Sequence, residues 1–258
     1  SDFHVDRLIY YYADYLNLMH DKGFKIDFLD LSNEQTIIKP EHAKTIKEDL
    51  PGKLNPGVNM PELVTPSTWS IKQGTEWLQS VNMEKGENLA FEVASAHNTG
   101  GDFLGKEFAK EARKLNKEIW NTEMHKWMGV DTKDEILSSD ILWKHIRAGY
   151  NGINTWLTYG PYQGRGHTMI WVDPEKGIRK STKYEIFKKL VNNSNRGYYL
   201  PSSNIDENLI TAAFVKDRVL TIWALNLSDA VYEGVLFNLS DLNIRSTIID
   251  QTIWNEMI

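Results

Sequence analysis

The sequence contains no cysteine. That single absence excludes a disulfide framework, a thiolate metal site and a cysteine nucleophile, while leaving the cellular compartment open. No stretch approaches 18 consecutive apolar residues, so no membrane-spanning helix is expected. Positive charge is in deficit: 29 Lys and Arg face 35 Asp and Glu, for a formal net charge of −6. Proteins that bind nucleic acid by neutralising phosphates are ordinarily basic, so nucleic acid is not an expected partner. Neither HExxH nor a close His pair on one helix is present, and no metal or cofactor is expected. Proline is sparse, 8 in 258 residues, and most of it falls between 40 and 66.

Aromatic residues, by contrast, are plentiful: 9 Trp and 11 Tyr in a chain that is 41% hydrophobic and 25% charged. That composition suits a globular protein with a substantial core. Surplus Trp and Tyr also suit a surface that stacks on sugar rings, whose faces are apolar and whose edges are polar.

Helical spacing of Leu8, Tyr11, Tyr12, Tyr15, Leu18 and Met19 predicts a helix stopped at Gly23. Phe24–Leu31 alternates like a strand and runs into Ser32-Asn33-Glu34-Gln35. Residues 39–66 read as a long loop, with a short strand near Glu62–Thr65. Ser67 or Thr68 caps a helix carrying Trp69, Ile71, Trp77, Leu78 and Val81. Strands at Leu89–Ala96, Glu118–Glu123 and Gly152–Leu157 then alternate with helices that start near Asp102 and Asp134. A Gly-rich loop around 159–172 precedes a last helix through Tyr184, Phe187, Leu190 and Val191. Strand–loop–helix alternation is the pattern of a parallel sheet wrapped by helices, with five strands before residue 195. Beyond it, Leu209–Val215, Arg218–Asn226, Val231–Leu239, Arg245–Ile249 and Thr252–Met257 read as short strands of an antiparallel sandwich.

Ligands of parallel α/β folds bind at the C-terminal ends of strands. Asn33 and Glu34 follow one predicted strand, His97 and Asn98 another. Glu123 and His125 end a third, Trp156 and Tyr159 a fourth. Two glutamates at such ends would face one mouth, the arrangement glycoside cleavage needs: one carboxyl protonates the departing oxygen, the other attacks the anomeric carbon. Asn121, Thr122, His97 and His125 surround Glu123 with potential donors that would keep it ionised, whereas Glu34 follows the apolar Phe28, Leu29 and Leu31.

These residues carry a resemblance. Ser32-Asn33-Glu34-Gln35 resembles the fourth-strand Asn-Glu motif of clan A glycoside hydrolases, with Gln35 where proline is common. Trp120-Asn121-Thr122-Glu123-Met124-His125 resembles their seventh-strand nucleophile segment, and Gly152–Tyr159 with Trp156 is similar to the eighth strand. The opening segment resembles family 30 most, and the aromatics and His around Glu123 resemble the family 86 agarases and porphyranases. The resemblance implies a (β/α)8 TIM barrel, partial here with strands four to eight in residues 1–194, followed by a small antiparallel β-sandwich in 195–258. Three βα units would come from an N-terminal barrel segment outside this sequence, since five strands cannot close a barrel without exposed edges. It implies Glu34 as acid/base, Glu123 as nucleophile, and Asn33, His97, His125, Trp127, Trp156 and Tyr159 against substrate.

The function expected is therefore a retaining endo-β-glycoside hydrolase. An agar or porphyran galactan is the first substrate class, with xylan, glucan or β-1,6-galactan as the family 30 alternative. A non-catalytic carbohydrate-binding protein on the same fold, and a metal-dependent hydrolase using His97, His125, Glu123 and His167, are the competing readings. Lys126 and Arg165 are candidates for an anionic substituent on the sugar. A secreted, periplasmic or cell-surface bacterial setting is the expectation.

Overall fold

Ile9, Tyr12, Ala13 and Leu16 recur at helical spacing, and they form the buried stripe of helix α1 (Val5–Asp21). The computed structural model describes residues 3–100, 103–161, 166–194, 196–202 and 206–239. After α1 the chain alternates strand and helix: β1 (Phe28–Asp30), α2 (Pro40–Asp49), β2 (Glu62–Thr68), α3 (Ile71–Gln79), β3 (Val93–Ala96), α4 (Gly105–Lys114) and β4 (Glu118–Met124). Helices α5 (Thr132–Leu137) and α6 (Asp140–Ala148) then lead to β5 (Gly152–Thr155). The five strands form one curled sheet in the order β1-β2-β3-β4-β5, every pair parallel.

Alternation along each strand divides the sheet into two faces. Leu29, Leu63, Ala94 and Ile119 are buried with α1 to α4 in one hydrophobic cluster. Phe28 and Trp120, offset from that set, instead pack on each other with ring centroids 4.6 Å apart. Phe28, on the edge strand β1, remains 41% exposed.

The expected loop at 39–66 is corrected. It holds α2, a 3-10 turn at Leu50–Lys53 and β2. Pro40 and Pro51 stand in the first turns of these helical segments, where a missing N–H costs nothing and a fixed φ favours the turn. Proline here begins helices instead of excluding them. Ser70, not Ser67 or Thr68, caps α3, its hydroxyl accepting from the Gln73 N–H at 3.2 Å.

The chain divides into two compact units: Ser1–Lys126 with Lys144–Trp156, and Trp127–Trp143 with Leu157–Ile258. The parallel sheet belongs to the first. In the second, strands β6 (Tyr159–Pro161) and β7 (Ile170–Asp173) fall in or at the end of the predicted Gly-rich loop, and with β8 (Gly177–Lys180), which follows it, they form a three-stranded sheet. Helix α7 (Thr182–Ser194) follows, then β9 (Tyr198–Leu200), β10 (Leu209–Lys216) and β11 (Val219–Asn226) in a three-stranded antiparallel sheet. The strand expected at Val231–Leu239 is absent: the segment has no regular structure, with Val231 and Leu236 at 84% and 93% exposure. The strands expected at 245–249 and 252–257 lie outside the described residues. Among the described residues no helix is long and apolar enough to cross a membrane.

Candidate active site

Three strand ends of the first unit converge. Beyond β1 the chain is pinned to β2: the Ser32 hydroxyl donates to the Pro66 carbonyl and the Glu34 N–H to the Ser67 carbonyl, both at 2.8 Å. Glu34 adopts φ +60°, a left-handed conformation that is unfavourable for a side-chain-bearing residue and tends to mark functional positions. At the end of β3, the His97 N–H donates to the Thr68 carbonyl at 2.8 Å, which sets that imidazole beside Glu34. β4 supplies Thr122 and Glu123, and His125 follows.

Buried Asn98 holds this last segment. Its Oδ1 accepts from the Asn121 amide at 3.0 Å and from the His125 N–H at 2.8 Å, and its Nδ2 donates to the His125 carbonyl at 3.0 Å. Asn121 Oδ1 in turn accepts the Glu123 N–H at 3.0 Å. The backbone around the second glutamate is thus fixed from within the protein.

The side chains of Glu34, His97, Glu123 and His125 meet, one polar atom of each lying within 4.8 Å of the others. His97 Nδ1 is 3.3 Å from Glu34 Oε1 and 3.8 Å from Glu123 Oε2, and His125 Nε2 is 3.2 Å from Glu123 Oε1. His97 Nε2 faces the Thr122 hydroxyl at 3.1 Å. The two carboxyl groups keep partial contact with solvent, at 22% and 21% side-chain exposure, while His97 is buried. A single divalent cation would also reach all four atoms, and no other such cluster exists among the described residues.

Burial shifts His97, His125 and Glu123 away from their charged forms. It lowers the affinity of His97 for a proton, against the pull of Glu34 and Glu123. It lowers that of His125 too, with Glu34 opposing and Lys126 adding to the effect. The Glu123 carboxyl is pushed up by burial, with His97 opposing and the charge of Glu34 adding to the rise. The donors around Glu123 therefore offset desolvation only in part, which departs from the sequence-based expectation of a firmly ionised group.

The remaining predicted site residues separate. Trp156, half-buried, stacks on His125 with centroids 4.7 Å apart and planes at 29°. Asn33 is exposed beside Glu34. Trp127 and Tyr159 belong to the second unit. There Trp127 is buried, its ring N–H donating to the Glu135 carbonyl at 2.9 Å, and Tyr159 is exposed. Lys126 is exposed, and Arg165 lies outside the described residues. Sequence reasoning passed over Asp30, Ser67 and Ser95. Ser67 Oγ lies 2.5 Å from both Asp30 Oδ2 and Ser95 Oγ, and 3.2 Å from Thr122 Oγ1. The available signal was alternation: Asp30, Ser95 and Thr122 are polar positions that interrupt apolar strands.

No family model matches the sequence, and no curated protein sequence does either. Solved structures do match in fold. The catalytic domain of GH30 xylanase C from Talaromyces cellulolyticus aligns at TM-score 0.65 and 11% identity, over 84% of this chain and 54% of that one. SrfJ from Salmonella typhimurium aligns at TM-score 0.67 and 16% identity, over 82% of this chain and 53% of that one. The curled five-stranded parallel sheet with its helices thus has the fold of a partial TIM barrel, and the chain spans just over half the length of these structures.

Proposed function

We propose that this chain carries the catalytic pair of a retaining endo-β-glycoside hydrolase acting on a polysaccharide. The observation that carries the reading is the approach of Glu34 and Glu123 to within 4.8 Å at the ends of parallel strands. Retaining enzymes hold their carboxyls about 5–5.5 Å apart, whereas inverting enzymes need wider spacing to seat a water.

In this reading Glu34 gives its proton to the glycosidic oxygen as the bond to the anomeric carbon breaks. The Glu123 carboxylate forms a bond to that carbon. Glu34, now a carboxylate, takes a proton from water, whose oxygen displaces Glu123. Trp156, held on His125, offers a ring face to a sugar, and exposed Asn33 is placed to hydrogen-bond a hydroxyl beside the acid. Three further βα units from outside this sequence would close the barrel, a proposal supported by β1 and β5, which among the described residues each pair on one side.

Agar and porphyran are the first substrates to assay. Xylan stands beside them because a structure of the same fold is a GH30 xylanase. Azide decides the mechanism. Glu123→Ala should lose turnover and regain it with azide, giving an inverted glycosyl azide. Glu34→Ala should still react with substrates bearing good leaving groups, and azide should give the retained product. Swapped stereochemistry would reverse the roles, and an active Glu123→Ala enzyme without azide would leave a binding protein or another reaction class.

A further inference from the structure

The contacts behind His97 form a continuous chain. Asp30 Oδ2, Ser67 Oγ, Thr122 Oγ1, His97 Nε2, His97 Nδ1 and Glu34 Oε1 follow one another at 2.5, 3.2, 3.1 and, from Nδ1, 3.3 Å. We infer that Asp30, acting through Ser67 and Thr122, fixes the tautomer of His97 and so places the acid proton on Glu34, not on Glu123. Asp30, Ser67 and Thr122 are then positioning residues, and the inference rests on the reading of Glu34 as the acid/base.

The argument is one of proton counting. A hydroxyl owns one proton, so each link of such a chain is satisfied only if every donor points the same way. An ionised carboxylate accepts and cannot donate, so Asp30 sets the direction. Ser67 donates to it, and the Thr122 hydroxyl also stabilises its charge. The second lone pair of Ser67 is met by Ser95, whose own oxygen accepts the Ser67 N–H at 3.1 Å. With its proton spent toward Asp30 and Ser67, Thr122 turns a lone pair to His97. Nε2 must therefore carry hydrogen, and in the neutral ring Nδ1 is bare.

A bare Nδ1 needs a donor. Glu34 at 3.3 Å is closer than Glu123 at 3.8 Å, and Glu123 already faces His125. In this proposal the hydrogen of that contact is carried by the carboxyl, the only partner at Nδ1 that can supply one once Nδ1 is bare; burial also disfavours a second proton on His97, against the pull of Glu34 and Glu123. Among the described residues, the groups that face Asp30 are Ser67, Thr122, the Ser32 N–H at 3.4 Å and Tyr12, whose phenol is kept from ionising by burial first and by the Asp30 charge second; none of these is a cation that would replace the chain.

The tautomer is directly measurable. In full-length protein labelled with 15N histidine, His97 should show protonated Nε2 and an accepting Nδ1 at neutral pH. Asp30→Asn and Thr122→Val should shift it toward protonated Nδ1, and Thr122→Ser should restore it. A protonated Nδ1 in the wild type, or a tautomer that neither variant moves, overturns the inference without reference to substrate. Kinetics supply a second readout on aryl β-galactosides and β-xylosides of graded leaving-group pKa. Thr122→Val should lose on the order of tenfold in kcat/KM for the poorest leaving groups, a fraction of the usual general-acid contribution, and progressively less for better ones. Uniform loss across the series marks a merely structural role and overturns it; Ser67→Ala serves if Thr122→Val does not fold. Glu34→Gln separates the two readings. If its leaving-group dependence matches the wild type, Glu34 is not the acid and both fall. If it steepens while Thr122→Val stays flat, only the present inference falls.

Discussion

At the scale of single residues, the site depends on small polar groups that catalyse nothing. Asn98 satisfies both backbone groups of His125 and the Asn121 amide from a buried position. Asn98→Ala should leave those groups unpaired, at roughly 1–3 kcal/mol, and loosen the segment bearing Glu123. Denaturant titration together with kcat should show both losses; a stable variant with normal kcat would make the clamp irrelevant. Asp30 predicts a pH effect. Although solvent reaches the residue, surrounding protein desolvates its carboxyl and raises it from 3.8 to about 6, against hydrogen bonds from Ser67, the Ser32 N–H and Thr122. A raised carboxyl holds its proton longer in the folded state, so its contribution to stability is present below about pH 4 and lost as pH climbs through about 6. Subtracting the stability profile of Asp30→Asn from that of the wild type should expose this fall; a difference that rises with pH would contradict it. Glu34, Glu123 and the two histidines were legible in the sequence because reactive residue types after strands signal a site. The Asp30–Ser67–Thr122 chain was not, because it exists only once three strands are in register.

At the scale of elements, alternation of strand and helix was readable because its apolar periods are long and its stops are glycines or capping residues. Misreadings fell where one residue type serves two purposes. Pro40 and Pro51 start helical turns, and Tyr159–Pro161 and Ile170–Asp173 pair as strands in a stretch rich in glycine. Gly74 shows the same ambiguity inside α3. A helix interior ordinarily gains about 1 kcal/mol from Gly→Ala. Here a Cβ would lie 2.7 Å from the Ala96 Cβ and 2.9 Å from the Phe108 ring, where α3 meets β3 and α4. Gly74→Ala should therefore destabilise by about 1–3 kcal/mol, overpacking outweighing propensity. Equilibrium unfolding in urea checks the sign: a gain in stability would show that α3 can shift outward at little cost.

At the scale of the whole molecule, the resemblance to a partial barrel agrees with the sheet order and with the fold of longer solved structures, while the second unit was the less legible half. One reason is that its packing is organised partly around charge, which hydrophobic periodicity cannot register. Lys183, in α7, and Glu135, in α5, are both fully buried. Lys183 Nζ lies 3.6 Å from Glu135 Oε1 and donates to the carbonyls of Gly129, at 3.1 Å, and Gly166, while its N–H donates to Glu135 Oε2 at 3.2 Å. Burial lowers the lysine's hold on its proton and Glu135 opposes that shift. Lys183→Met strands the carboxylate and should cost about 3–5 kcal/mol in unfolding free energy. The double variant Lys183→Met with Glu135→Gln should be more stable than Lys183→Met alone at neutral pH. If the single variant loses less than about 1 kcal/mol, or the double variant is no better, the second unit is held by its apolar contacts and the buried pair is incidental to it.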